Sequence, residues 1–221
     1  MKAFAWQAFL QQQRDQHGKV LFTVTELANV AGISPGALNV ELARLRQRGV
    51  VAKYAHGLYG LPGAVSAEAL LSAIDTHAYI TGHYALFTHH LVTQTPTAIT
   101  CFTGRRSPRA RERSTPLGRM EFVCVRSRVY APPRDRPMAS PTQALCDYVY
   151  LSRRQGVRPE NLLTFRQLDR LDSDELRTVM ARYPLTVQQH VQRICGNGND
   201  PPHGNTANRG QSIAGHCQEA R

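Results

Sequence analysis

The residues best suited to bind a nucleic acid lie between positions 34 and 56. The amide of Asn39 matches the two hydrogen-bonding groups on an adenine edge, and Ala37 and Val40 suit contact with thymine methyl groups. Basic side chains around them would bind phosphates. The candidate DNA-binding residues are Ser34, Ala37, Asn39, Val40, Arg44, Arg48, Lys53 and His56.

A helix is needed to hold most of these residues on one face. Ser34 is a good N-cap, and Pro35 fits the first helical position because its missing N–H would have no partner there. Gly49 predicts the end of the helix near Arg48. An apolar stripe at i, i+4 and i+7 would face the core, and it consists of Leu38, Leu42 and Leu45.

The flanking residues predict the rest of a small DNA-binding unit. A first helix is expected over Phe4 to Gln16, with Phe4, Ala5, Ala8 and Phe9 as its apolar side, then a short strand at Val20–Phe22 and a helix at 26–31 capped by Thr25. The runs Val50–Tyr54 and Leu58–Leu61 flank a tight turn and predict a hairpin. This order is that of a winged helix-turn-helix, whose second helix enters the major groove. The alternative is a scaffold of the same fold that docks a protein.

The charge distribution also indicates a polyanionic partner. The net charge is +11, and residues 104–136 hold ten arginines against three acidic residues. The segment Gly104–Arg119 is expected to be a long exposed loop, either a contact surface or only a solvated connector. Its candidate contact residues are Arg105, Arg106, Arg109, Arg111 and Arg113.

The sequence lacks the motifs of common enzymes. It contains no phosphate-binding glycine loop and no H-E-x-x-H, and residues 64–221 contain no lysine for a D…(E/Q)-x-K nuclease site. The five cysteines include no C-x-x-C pair and predict free thiols in a reducing cytoplasm. No apolar run is long enough to span a membrane. We therefore expect a cytoplasmic, non-enzymatic protein without metal or cofactor.

Three regions are predicted: a winged helix-turn-helix at 1–63, a mixed α+β domain at 64–195, and a disordered tail at 196–221. The overall class is α+β. In the second domain two strands are expected, at Thr97–Thr103 and Met120–Arg126. Its expected helices are Ala67–Ile74 (capped by Ser66), Tyr79–Leu91, Pro141–Tyr150, Pro159–Leu171, Ser173–Ala181 (with a capping box of Asp172 and Glu175) and Val187–Ile194.

Two stretches of the second domain resemble the AbiEi-type antitoxins. The first is Tyr79-Ile80-Thr81 through Ala85-Leu86, His89-His90-Leu91 and Gln94-Thr95-Pro96, similar to "Y-I-S-x-x-S-A-L-x-x-H-G-L … Q-x-P". The second, Ser140-Pro141-Thr142-Gln143-Ala144-Leu145-Cys146-Asp147, is similar to "S-P-E-R-A-L-L-D". Tyr84 replaces a usual serine and His90 a usual glycine. The resemblance covers roughly residues 5–195.

The resemblance implies an antitoxin of a bacterial type IV toxin–antitoxin system. In that family the winged helix represses its own promoter, and the C-terminal domain counters a nucleotidyltransferase-like toxin. The arginine-rich segment would then contact promoter DNA, an acidic toxin or the toxin's nucleic-acid substrate. Two other interpretations stay open: a plain regulator whose second domain senses a ligand or dimerises, and an enzyme fused to a DNA-binding module.

Overall fold

The computed structural model describes residues 2–105 and 111–197, and within them the chain is a mixed α+β protein. The first part combines helices with an antiparallel sheet of strand order β1-β3-β2. Its elements are α1 (Ala3–His17), β1 (Phe22–Thr23), α2 (Val24–Ala31), α3 (Pro35–Gln47), β2 (Ala52–Ala55) and β3 (Leu58–Gly60).

The second part packs helices on a sheet of strand order β4-β5-β7-β6. Strands β5 and β7 are parallel, and the two outer pairs are antiparallel. Parallel neighbours end at the same edge, so the chain leaves β5 and β7 side by side. The elements are α4 (Ala67–Ile74), β4 (Ala78–Ile80), α5 (Gly82–Thr88), β5 (Ala98–Thr103), β6 (Glu112–Thr115), β7 (Gly118–Cys124), α6 (Pro141–Arg154), α7 (Ser173–Met180) and α8 (Leu185–Asn197).

The buried apolar side chains form two clusters. The first lies among α1, α2, α3 and the small sheet, with Trp6, Leu10, Leu38 and Leu42 among its members. The second surrounds α6, which is buried on nearly all sides and packs against α5, α7 and α8. Tyr54 of the hairpin β2–β3 belongs to this second cluster, so the hairpin touches both.

Local capping signals account for the starts of several helices. The Ser34 hydroxyl accepts a hydrogen bond from the Ala37 N–H at the start of α3, and the Ser66 hydroxyl does the same for Ala69 in α4. The cap of α2 was predicted at Thr25 but is Thr23. Its hydroxyl accepts from the backbone N–H of Glu26, whose carboxylate accepts from the backbone N–H of Thr23. This reciprocal pair starts the helix earlier than expected.

The predicted apolar side of α1 is only partly correct, because Phe9 packs against the first cluster but Phe4 does not. Trp6 and Leu10 are fully buried, one turn apart, whereas Phe4 is 83% exposed. The indole N–H of Trp6 donates to the Glu41 carboxylate at 2.7 Å, which turns this face of α1 toward α3. The sequence pattern did not indicate the pair Trp6 and Leu10, because a long polar run follows Leu10.

The predicted helix at Tyr79–Leu91 begins too early. Residues Ala78–Ile80 form β4, which pairs with β5, and α5 begins only at Gly82. Tyr79 and Ile80 have side chains that favour a strand. The strand forms because β5, about 20 residues away in the sequence, supplies its pairing partner. Ile80 also bonds through its backbone to residues 137 and 139.

Three further predictions are corrected. Residues 159–171 are not a helix: two short 3₁₀ turns flank a segment in which the Arg166 N–H donates to the Leu91 carbonyl. The expected loop Gly104–Arg119 contains β6, which pairs with β7 as a hairpin. Helix α8 continues to Asn197, past the expected start of the tail at 196. The remainder of that tail lies outside the described residues.

Candidate nucleic-acid interface

Helix α3 is fixed by its buried stripe and carries the predicted DNA-binding residues outward. Leu38, Leu42 and Leu45 are at most 3% exposed and pack against α1 and the small sheet. Because a helix has 3.6 residues per turn, the opposite face is then directed to solvent. The predicted residues in α3 and at its two caps, Ser34 and Arg48, are all exposed, namely Ser34, Ala37, Asn39, Val40, Arg44 and Arg48.

The middle of this exposed face is nearly free of charge. It is formed by residues at i, i+4, i+7 and i+11, namely Gly36, Val40, Ala43 and Gln47. Asn39 lies at one side of this row, and Arg44 at the other. Gln47 was not among the predicted base-reading residues, although its amide has the chemistry of Asn39. Its spacing from Val40 was the signal that pointed to it.

A shallow groove runs along one side of α3. Four predicted residues, Ala37, Val40, Arg44 and Arg48, line it together with Lys2 at the start of α1. Glu41 also lines it, and its carboxylate accepts the Trp6 hydrogen bond. The groove therefore presents basic side chains along a wall that is held in place by the α1–α3 contact.

The cations of this surface are available for phosphate. Arg44, Arg48 and Lys53 pair with no carboxylate among the residues that the structure describes, whereas Lys19 is held by Glu26 at 2.6 Å. An unpaired guanidinium or ammonium group loses no existing partner when it meets a phosphate. The predicted Lys and Arg residues thus differ from Lys19, which already has a partner.

The hairpin places the remaining two predicted residues in solvent. Lys53 projects outward from β2, and His56 lies in the two-residue turn. Its neighbour in the turn, Gly57, has a φ of 70°, in the left-handed region that glycine adopts without strain. The Tyr54 hydroxyl donates to the Leu61 carbonyl at 2.8 Å and anchors the base of the hairpin. The exposed tip is therefore carried on a fixed stem.

The arginine-rich segment is described only in part. Arg105, Arg111 and Arg113 are exposed, and the guanidinium of Arg113 lies over the ring of Phe122 at 5.4 Å. Arg106 and Arg109, predicted as contact residues, lie outside the described residues. Arg113 lies on the outer strand β6, which contacts β2 of the hairpin, and Arg105 and Arg111 lie just after β5 and just before β6.

The two motif stretches of the second domain meet at one buried carboxyl group. Asp147 on α6 is fully buried and accepts hydrogen bonds from the hydroxyls of Tyr79, Thr81 and Tyr183 at 3.1, 2.8 and 2.6 Å. Tyr79 and Thr81 belong to the first motif and Asp147 ends the second. These motif residues thus tie β4 to α6 inside the protein.

A second carboxylate holds the start of α6. Glu175 accepts from the hydroxyls of Ser140 and Thr142 at 2.6 and 3.0 Å. The capping box predicted for Asp172 and Glu175 is therefore only half correct. Asp172 caps α7 by accepting from two backbone N–H groups, but the Glu175 side chain reaches α6 instead of returning to its own helix.

Burial of Asp147 makes the stability of the fold depend on pH. Loss of water raises the pKa of Asp147 from 3.8 to about 7, against the opposing effect of the three hydroxyl donors. A carboxyl whose pKa is raised by folding binds its proton more tightly in the folded state. Its contribution to stability is therefore greatest below about pH 4 and is lost as the pH rises toward 7.

Between pH 5 and pH 7 the free energy of unfolding of the wild type should fall by about 2 kcal/mol relative to Asp147→Asn, whose amide does not titrate. Urea unfolding of both proteins at half-unit pH intervals measures the difference. Parallel curves for the two proteins would show that the carboxyl does not titrate in this range.

The other polar side chains of the first motif have structural partners. The imidazoles of His83 and His89 each donate through Nε2 to a backbone carbonyl, those of Gln94 and Ala139. Cys101 and Cys146 are buried free thiols, and burial raises the pKa of each. Within the described ranges, no group of three His, Cys, Asp or Glu side chains is arranged to hold a metal ion.

The segment that contains α2, α3 and the hairpin matches a known family. Residues 13–62 match the family model described as "Transcriptional regulator, AbiEi antitoxin". The match confirms the family resemblance in this segment, and the two motif stretches of the second domain lie outside it. A comparison with curated proteins gave no match. In the described part of the chain, no helix combines the length and apolar character needed to cross a membrane.

Proposed function

We infer that this chain, whose residues 13–62 match the AbiEi antitoxin family of transcriptional regulators, represses its own promoter and acts as the antitoxin of a type IV toxin–antitoxin system. The observation that supports DNA binding is the exposed face of α3. Within the matched segment it combines an apolar centre, an amide and arginines that pair with no carboxylate among the described residues.

The proposal assigns a role to each region. Residues 1–63 are a winged helix-turn-helix, with α3 in the major groove and the turn at His56 against a neighbouring phosphate. Residues 64–197 form the antitoxin domain, and residues 198–221 are dispensable for both activities. The protein works in the cytoplasm on promoter DNA and needs no catalytic residue, metal or cofactor of its own.

The DNA-binding half is tested first at Asn39. Asn39→Ala should lower the affinity for promoter DNA by about 1–3 kcal/mol and reduce the preference over scrambled DNA, because an amide that reads a base is lost. Arg44→Ala is the matched control on the same helix. It should weaken binding to both DNAs equally and flatten the dependence on salt concentration, since only a phosphate contact is lost.

Titrations with labelled promoter and scrambled duplexes at several salt concentrations distinguish the two effects. An Asn39→Ala protein that discriminates as well as the wild type would remove Asn39 from the base-reading residues. If neither duplex binds the wild-type protein, the DNA-binding function itself fails and the protein-docking alternative is favoured.

The antitoxin half is tested in cells. Co-expression with the product of an adjacent nucleotidyltransferase-like gene should restore growth, whereas a plain regulator with a sensing or dimerisation domain would leave the toxin active.

Replacing Arg105, Arg106 and Arg109 with alanine separates the roles of the arginine-rich segment. Lower promoter affinity with a smaller salt slope indicates a DNA contact. Loss of protection with unchanged promoter binding indicates a role in neutralisation. If both activities persist, the segment contributes to neither of them.

A further inference from the structure

A large recess lies where the parallel strands β5 and β7 end. Its volume is about 1010 Å³, at the upper end of the sizes typical of small-molecule sites. Thr103 and Cys124, the last residues of the two strands, form part of its floor. The crevice outside the carboxyl ends of parallel strands is the usual place for a ligand in open α/β sheets.

Arginines surround this recess, which we call the arginine cleft. Six of them line it, from five different parts of the chain, namely Arg105, Arg111, Arg126, Arg128, Arg154 and Arg182. Arg105 and Arg126 each follow the end of a parallel strand by two residues. In the part of the chain that the structure describes, no acidic residue lines the cleft and none of the six pairs with a carboxylate. By contrast, Arg119 and Arg177 outside it have carboxylate partners.

Such a concentration of like charge calls for an anionic ligand. Two of the guanidinium groups are held by backbone carbonyls: Arg128 donates to Ala181 at 3.1 Å, and Arg154 donates to Cys124 at 3.5 Å. These contacts fix the groups on the wall of the cleft without neutralising them. Planar guanidinium forks match phosphate oxygens, and several forks converging on one recess match a group of linked phosphates.

The cleft also offers an aromatic surface. Phe122 on β7 is half-buried and lines it, and Tyr150 on α6 contributes to its wall next to Arg154, whose guanidinium lies 5.7 Å from the ring centre. A ring beside phosphate-binding arginines suits a nucleobase, because any base can stack on an aromatic face. A phosphate ion alone would leave this part of the recess unfilled.

We propose that the arginine cleft binds a nucleoside polyphosphate, either as a free nucleotide or as the phosphorylated end of an RNA strand. The phosphates lie among the arginines at the strand ends, and the base lies beside the Phe122 ring and the Arg113 guanidinium that covers part of it. A nucleotide provides both the linked charges and the flat ring within the volume available. This site is separate from α3, and the inference does not depend on promoter binding.

The test uses the full chain and a fluorescently labelled ATP. Arg105→Ala combined with Arg126→Ala should weaken ATP binding at least tenfold, because two charge-assisted contacts are lost. Arg153→Ala combined with Arg193→Ala removes the same charge from exposed positions that do not line the cleft, and should change the affinity less than twofold. If a thermal melt shows that the alanine pair does not fold, Arg105→Lys combined with Arg126→Lys is used in its place. This pair keeps both charges but removes the guanidinium forks.

Competition experiments identify the source of the ligand. Unlabelled ATP, a short RNA with a 5′-triphosphate and inorganic triphosphate are compared as competitors. Stronger displacement by the RNA than by ATP assigns the site to an RNA end, and the reverse assigns it to the free nucleotide; both outcomes support the proposal. Phe122→Leu should reduce the advantage of ATP over inorganic triphosphate.

Three outcomes would overturn the proposed nucleotide site. They are no ATP binding at millimolar concentration, an equal loss of ATP affinity in the control pair, or displacement of labelled ATP by inorganic triphosphate as effective as by unlabelled ATP. The last result would mean a general anion site. Promoter binding is measured on the same samples. Failure of the nucleotide site with intact promoter binding then differs clearly from failure of the proposed repressor function.

Discussion

Asp147→Ala is expected to lower the free energy of unfolding by about 3–5 kcal/mol, because it leaves three buried hydroxyls without their acceptor. The hydroxyls of Tyr79, Thr81 and Tyr183 all donate to this carboxyl group, and Asp147 is fully buried. Each unsatisfied buried donor costs about 1–3 kcal/mol, and local rearrangement recovers part of the sum. The loss should affect β4, α6 and the loop before α8 together.

Urea unfolding followed by tyrosine fluorescence and circular dichroism measures this loss. Asp174→Ala is the matched control, since Asp174 is exposed on α7 and its ion pair with Arg177 is a surface contact worth less than about 1 kcal/mol. Tyr79→Phe should have a smaller effect than Asp147→Ala, because it removes one donor and leaves the carboxyl two others. A loss in Asp147→Ala no larger than in Asp174→Ala would show that the network does not stabilise the fold.

Leu42→Ala is expected to cost about 2–5 kcal/mol through lost burial and the cavity left behind. Leu42 is 1% exposed at the centre of the first cluster, between Leu38 and Leu45 on α3. The cluster is small, so a loss of this size should unfold the α1–α3 unit and with it the proposed DNA-binding surface.

Val40→Ala provides the comparison within the same helix. Val40 is 56% exposed, so its truncation should change the free energy of unfolding by less than about 0.5 kcal/mol while still affecting DNA binding. Thermal melts of the two variants, read with promoter titrations below the melting range, separate a folding defect from a contact defect. Equal melting temperatures for Leu42→Ala and the wild type would mean that the buried face of α3 is assigned wrongly.

The sequence was most informative where the signals are local. The cap at Ser34, the proline after it and the leucine stripe lie within one helix, and the structure agrees with all three. The face of α3 follows from that stripe, so the leucine spacing alone was sufficient to predict that Asn39 and Arg44 are exposed. Short-range hydrogen bonds and helical periodicity are sufficient for predictions of this kind.

Predictions failed where distant residues decide the conformation. Residues 78–80 form β4 because β5 supplies the pairing partner, and residues 159–171 fail to form a helix because the Arg166 N–H bonds to Leu91. The arginine cleft shows the same limit for a site. Its six arginines span positions 105 to 182, and only the parallel pairing of β5 and β7 brings the strand ends together. No spacing in the sequence indicates that arrangement.

The position of Tyr54 has a practical consequence for dissecting the protein. Its ring is 1% exposed and packs in the second cluster, although the residue lies in β2 of the hairpin that follows α3. A fragment cut after Gly63 would therefore expose a large aromatic ring at the stem of its own hairpin and lose the support of Val65 and the residues around it. Such a fragment should be less soluble and less cooperative in unfolding than the intact chain. Weak binding of promoter DNA by this fragment would then reflect a damaged hairpin and not a low affinity of the intact protein.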